Sequence, residues 1–380
     1  MGSPAQGTNS ASLPLPAIGK RETVSVSGIT RGSSRQTIHN AVRLAALAAT
    51  DFAWLKRGDS VFIKVALNSG HPYPATTAPD AVFAIATLLK EKGAGRVIVG
   101  DMSGIEHLKL TPEGARGSSR HLMKKCGMAN AVEEAGAEAH FFEEAGWNGF
   151  YPEEPVAGGN WKSPLMVPNI LREVDHIVLL PRCGRHIIAG CTLGLKAAVG
   201  YMCTDTRLEY HRDAATLQEK TAEANFIAVL RNKQRLALTL ADKVLTTLGP
   251  DMGYVATPET GMVIASPSVV AHDMASFAWL LENLQNSTPA IRRAWPSDPY
   301  QLPLVARIAN RVVVWWLDRP LAAFSAERFG HQPIKTIWDD RTLNRAFHLL
   351  GGVPQLCFER VNREAAEPLR LLMDATHPPA

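Results

Sequence analysis

The stretch PRCGRHIIAGCTLGLKAAVG, residues 181 to 200, sets Arg182, Arg185, His186 and Lys196 in otherwise apolar company, with Gly184, Gly190 and Gly194 spaced between them. Cations and imidazoles among apolar neighbours must find partners or shift their protonation, because desolvation penalises the charged form. A guanidinium offers a planar fork that matches a carboxylate or phosphate, and an imidazole can carry a proton near neutrality or ligate a metal. The pattern predicts an anion site in which Arg182, Arg185, Gly190, Thr192 and Lys196 bind and His186 serves as base or metal ligand. Within GCTLGLKAAVG, Thr192 is expected as an N-cap, the helix to run through Lys196, and Gly200 to stop it. A helix opening on a glycine-rich turn offers free N–H groups to an anion. The spacing is not that of a Walker A loop, where Lys directly follows the second Gly.

Other polar residues fall where strands are expected to end. Lys64 and Asn68 close FIKVALN, Asp101 closes VIVGD, and Asp242 closes LALTLAD. In open parallel sheets, ligands sit outside the carboxyl ends of the strands, where loops converge. Lys64, Asp101 and His186 are therefore the catalytic candidates and Asn68 a further binding residue. His211 in RLEYHRD and His272 with Asp273 in AHDMAS complete, with His186, a candidate ligand set for a divalent transition metal. Cys183, Cys191 and Cys203 match no iron–sulfur spacing. A hydrolase reading finds neither a GxSxG elbow nor HExxH.

The elements that must position these residues alternate. RETVSVSGI reads as a strand, 33 to 55 as a helix, SVFIKVAL as a strand, and 78 to 93 as a helix with Thr77 and Asp80 as a capping box. RVIVGDM, helix 119 to 135 and EAHFFE follow; then come DHIVLLP, helix 213 to 232, RLALTLAD, GMVIAS and helix 267 to 284. This order predicts an α/β fold of two lobes with mostly parallel sheets and a helical C-terminal extension. The expected divisions are a disordered tail over 1–20, an α/β lobe over 21–160, a second over 161–290, and a mainly helical region over 291–380, where VVVWWL reads as a packing face.

At 380 residues and 46% hydrophobic content the chain can bury a large core. Its formal charge of +4 comes from dispersed residues with no basic block, which argues against nucleic acid. The longest nearly apolar stretch, 187 to 203, carries Lys196 and three glycines, so no membrane span is predicted. Five cysteines without a CxxC pair fit a reducing, cytoplasmic setting.

The series VFIKVALN, TTAPDAVFAIATLLKEKGAGRVIVGDMSG, DHIVLLPRCGRHIIAGCTLGLKAAVG, RLEYHRD, GMVIASPSVVAHDMASFAWLL and NRAFHLLGG resembles the domain of unknown function 362 family over most of residues 58 to 355. That family is often accompanied by ferredoxin modules or twin-arginine signals, neither of which stands in this sequence, and its core is distantly similar to the nickel-pincer lactate racemases. The resemblance matches His186, Gly190, Thr192, Lys196, His211 and Asp273 to family positions. Arg185 stands in the place of a lysine and Ala197 in that of an asparagine. The expectation is an enzyme, a metal-assisted oxidoreductase or an isomerase or lyase, acting on a small anionic substrate between the lobes. The alternative is a non-catalytic module that holds a metal or cofactor, or passes electrons, for a redox partner or a second copy of itself.

Overall fold

A computed structural model describes residues 14–294, 303–318, 322–329 and 334–379. Residues 1–13 of the expected tail lie outside these, and the first strand, β1, begins inside the tail's range (Ile18–Thr30). The principal elements then run α1 (Arg35–Ala49), β2 (Ser60–Val65), α2 (Pro79–Glu91), β3 (Arg96–Asp101), β4 (Glu138–Phe141) and β5 (His176–Leu180). After them come β6 (Gly184–His186), β7 (Gly190–Thr192), α3 (Thr204–Arg212), β8 (Gln234–Ala241), β9 (Val244–Leu245), β10 (Val255–Ala256) and β11 (Thr260–Ser266). The chain closes through α4 (Val269–Gln285), α5 (Pro303–Leu317), α6 (Arg341–Leu350), β12 (Val353–Arg360) and a last helix, Ala366–Ala375.

The fold is mixed α/β. Eight strands form one sheet in the order β12-β1-β11-β8-β5-β2-β3-β4, so strands from either side of residue 160 hydrogen-bond together. Every neighbouring pair is parallel except the two made by β11, which runs against both β1 and β8. The central strands carry no polar alternation because both faces are covered: all six residues of β2 and all five of β5 are buried. α1 and α2 pack on one face through Val42, Ala45, Ala46, Val82, Ile85 and Leu89. A smaller sheet, β7-β6-β9-β10, joins β6 in parallel to β9 at Gly184 and Leu245.

Several local expectations are corrected. The helix over 119 to 135 is broken at Gly127, which takes a φ of 83°, leaving Ser119–Lys125 and Met128–Glu134. The helix over 213 to 232 divides into short turns and two helices, Leu217–Glu223 and Ala228–Lys233. Thr77 does not cap α2, which opens at Ala78 with proline in its first turn. The Thr77 hydroxyl instead accepts from Ala66 N at 2.8 Å and donates to Leu180 O at 2.5 Å, tying β2 to β5. The C-terminal region is not wholly helical, since β12 pairs with β1 over seven registered positions. Among the described residues no helix is long and apolar enough to cross a membrane.

Candidate functional site

Parallel register brings the first pair together. Lys64 lies opposite Gly100, so Asp101, one residue further on, meets the lysine amine at 2.7 Å. Both side chains are almost fully buried. Asp101 also accepts from the backbone N–H groups of Leu67 and Met102, at 2.8 and 2.7 Å, which fixes its carboxylate at the strand end. Burial pushes the Lys64 amine below its usual range, and the attraction of Asp101 opposes that push. The ammonium also lies 5.3 Å from the Tyr201 ring centroid.

Gly200 presses on this ion pair. A Cβ there would stand 2.5 Å from Lys64 Nζ and 2.9 Å from Asp101 Oδ1. It therefore supplies close approach rather than a helix stop; it lies in the turn Ala198–Tyr201.

Above these strand ends is a cavity of about 510 Å³. Lys64, Asn68, Asp101, Arg182, His186, Thr192, Lys196 and His211 all line it. β6 and β7 form a hairpin that presents His186 and Thr192, pairing Gly184 with Thr192 and His186 with Gly190. Gly190, at φ 89°, supplies the backbone of that hairpin, and Arg185 is buried in β6; neither lines the cavity.

The sequence reading missed Arg207, Glu106, His107 and Asp251, which also line the cavity. Arg207 and His211 are four apart on α3 and so share a face, the one available signal for Arg207. Its guanidinium donates to Ser103 O at 2.7 Å, and to Met102 O and Gly200 O at 3.0 Å, clamping the end of β3 to the 200 turn.

Of the cavity histidines, His186 and His211 have different tautomers. Nδ1 of His186 accepts from Ile188 N and Ala189 N, both at 3.2 Å, so the neutral ring carries its hydrogen on Nε2. Nδ1 of His211 faces the Asn310 side-chain oxygen at 2.8 Å, while the same amide donates to His211 O, so this ring keeps a lone pair on Nε2. Burial holds both rings neutral, His186 well below its usual range and His211 down to about 3, with Lys196 pushing in the same direction.

Lys196 is brought down to about 7, first by burial and then by repulsion from Arg207 and Arg182. Burial also lowers Arg182, to about 10, with Asp251 opposing. Arg182 is 1% exposed; its Nη1 donates to Pro74 O at 3.3 Å, and its Nε and Nη2 have no hydrogen-bond partner among the described residues. Arg207 Nε is likewise without one.

The expected metal set does not assemble. His272 is fully buried, its Nδ1 2.8 Å from Asp273 and its Nε2 2.9 Å from the Thr239 hydroxyl, and neither His272 nor Asp273 lines the cavity. Asp273 accepts from Gly194 N at 2.8 Å and Leu195 N at 2.7 Å. It is thus the cap of the four-residue helix Gly194–Ala197, displacing Thr192 from that role and occupying the N–H groups expected to face an anion. His186, with Nε2 protonated and Nδ1 engaged, offers no lone pair to a cation. The described residues whose ligand atoms do converge, within 4.8 Å, are Glu106, His107 and Asp251 at the cavity wall. Asn68 Nδ2 donates to Asp251 there, and His107 Nε2 lies 3.4 Å from it. Burial raises the thiols of Cys183, Cys191 and Cys203, and none of the three lines the cavity. Asp242 accepts from the Tyr73 hydroxyl at 2.6 Å, outside the cavity lining.

An α/β sheet with a cationic, imidazole-lined cavity over the ends of its parallel strands defines the class of protein. A family model described as domain of unknown function (DUF362) matches residues 61–278, more than half of the chain, and the chain belongs to that family. No curated protein matches it. Among solved structures it is similar to the lactate racemase apoprotein from Thermoanaerobacterium thermosaccharolyticum, with 14% identity and a TM-score of 0.39 over 61% of this chain and 52% of that one. A protein from Thermotoga maritima is similar at 14% identity and a TM-score of 0.34, over 56% of this chain and 51% of that one. The chain spans about half the length of these structures.

Proposed function

We propose that the cavity binds a small anion, a carboxylate or a phosphate ester, and moves a proton on it, as an isomerase or lyase does. The observation that supports this most is Arg182, a fully buried guanidinium with two nitrogens lacking acceptors at the wall of a cavity. A buried donor without an acceptor costs roughly 1–3 kcal/mol, more when charged, and an anion seated against it removes that cost. Arg207 Nε and Lys196 add donors on the same cavity.

Lys196 is the proton carrier in this reading, because an amine poised near neutral pH both takes and gives a proton efficiently. His186 donates from a neutral Nε2–H to a substrate oxygen, stabilising the charge that develops there, and His211 accepts a hydrogen bond at Nε2 to orient the substrate. The buried Lys64–Asp101 pair fixes the floor. No step is routed through a metal: the described ligand group that converges, Glu106, His107 and Asp251, does not include His186 or His211.

The test combines calorimetry with exchange. Wild-type protein binds inorganic phosphate and small carboxylates, and in deuterated water a substrate among the carboxylates gains deuterium by NMR. Lys196→Arg keeps a cation and retains phosphate binding, but arginine cannot transfer the proton, so exchange falls by about 10²-fold or more. Binding without exchange across the carboxylate panel favours a non-catalytic binding module; no binding of any anion overturns the reading.

A further inference from the structure

The cavity lining joins charged groups of both signs to a large apolar set. Lys64, Arg182, Lys196 and Arg207 are its cations, with Lys64 already paired to Asp101, and Glu106 and Asp251 are its remaining carboxylates. The apolar lining includes Ile105, Ile187, Ile188, Ala309, Val312 and Trp315, and of these Val312 and Trp315 are half exposed. A site built only for phosphate or a small carboxylate has no use for so large an apolar wall, which would merely restrict its water.

The apolar side continues beyond the cavity. On α5, Val312 is 54% and Trp315 50% exposed, and Leu304, Val305 and Ile308 are 65%, 48% and 53% exposed. Residues 304, 308, 312 and 315 recur at helical spacing and form a single stripe. That stripe is roughly 16 Å long at the rise of an α-helix. The buried side of the same helix, Ala306, Asn310, Val313, Val314 and Leu317, is satisfied by the rest of the molecule, with Asn310 bonded to His211. The stripe therefore starts at the anion site and runs outward along one helix face, a geometry suited to a molecule with a charged end and an extended hydrocarbon end.

We infer that the ligand is an amphiphilic anion, an acyl or alkyl chain ending in a carboxylate or phosphate, with its head on Arg182, Lys196 and Arg207 and its chain against Val312, Trp315 and the outer stripe of α5. This rests on the anion-binding reading above and names the substrate class for that same site. Cationic and apolar residues line one and the same cavity, so the head and the chain belong to one molecule.

The test titrates the protein calorimetrically with inorganic phosphate, acetate, octanoate, dodecanoate and dodecyl phosphate, below their micellar concentrations. Affinity is expected to rise with chain length, with dodecanoate at least about ten-fold tighter than acetate, since each methylene buried adds to binding. Leu304→Ser with Ile308→Ser, at exposed positions on the stripe outside the cavity lining, is expected to reduce that gain for dodecanoate and leave phosphate binding as in wild type. Phosphate binding with no dependence on chain length overturns this inference while the anion site stands. Loss of phosphate and dodecanoate binding alike overturns the anion site itself. Association with vesicles of anionic phospholipid, with no affinity for monomeric dodecanoate, assigns the stripe to a lipid surface and also overturns the proposal.

Discussion

At the scale of single residues, the site is a set of charges held where water would otherwise stabilise them. Lys196 shows the consequence most directly. Its protonated form is the one that attracts an anion, and an anion seated beside it raises its affinity for a proton. Anion affinity is therefore greatest below pH 7, declines as pH rises through about 7, and flattens once Lys196 has lost its charge and the arginines carry the attraction. Calorimetric titration with sulfate, whose own charge is constant from pH 5.5 to 9, in steps of about half a unit, checks this. Lys196→Arg, whose charge persists, makes the profile flat over that window. Stability runs the other way: the folded amine titrates near 7 and the unfolded one near 10.5, so the unfolded chain holds more protons between them and stability increases with pH there. Removing the amine in Lys196→Met stabilises the fold at pH 6, by on the order of 1 kcal/mol, at the expense of binding. The Lys64–Asp101 pair behaves oppositely. Asp101→Asn leaves a buried ammonium without its counter-ion and costs about 3–5 kcal/mol in denaturant unfolding. Gly200→Ala drives a methyl into the same pair and is expected to cost roughly 1–3 kcal/mol.

At the scale of elements, what could be read beforehand depended on whether the information was local. The strands ending at Lys64, Asp101 and Leu180 are continuous apolar runs, and polar residues at their ends line the cavity, whereas Asp242 at the end of β8 does not. Arg207 was hidden because α3 has a polar composition with no amphipathic period, so RLEYHRD did not read as a helix. Asp251 reaches the cavity only through the loop between β9 and β10, and no spacing in the sequence reports that path. The metal expectation for His272 and Asp273 failed for a related reason: a helix start is a place where carboxylates satisfy N–H groups, and Asp273 does this for a neighbouring helix rather than its own. Asp273→Ala should accordingly cost about 1–2 kcal/mol by loss of the cap, measured by urea unfolding. Metal content by elemental analysis is expected to equal that of wild type.

At the scale of the whole molecule, one sheet unites strands separated by most of the chain. β1 lies between β12 and β11, whose residues begin more than two hundred positions later, while β2, β3 and β5 pair in near succession. Deleting residues 353–379 uncovers the edge of β1 and is expected to give an aggregating product on size-exclusion chromatography, with no cooperative thermal transition.

The same arrangement fixes an order of events during synthesis. β1 leaves the ribosome before the other described strands of the sheet, and its two neighbours are translated after the rest of them. At about 5–20 residues per second, its alternating, hydrogen-bond-hungry backbone waits tens of seconds for any partner. The segments carrying Lys64, Asp101 and Arg182 can meanwhile form their parallel core. For this chain, the site's scaffold is laid down before the strand that opens the sequence has found its place.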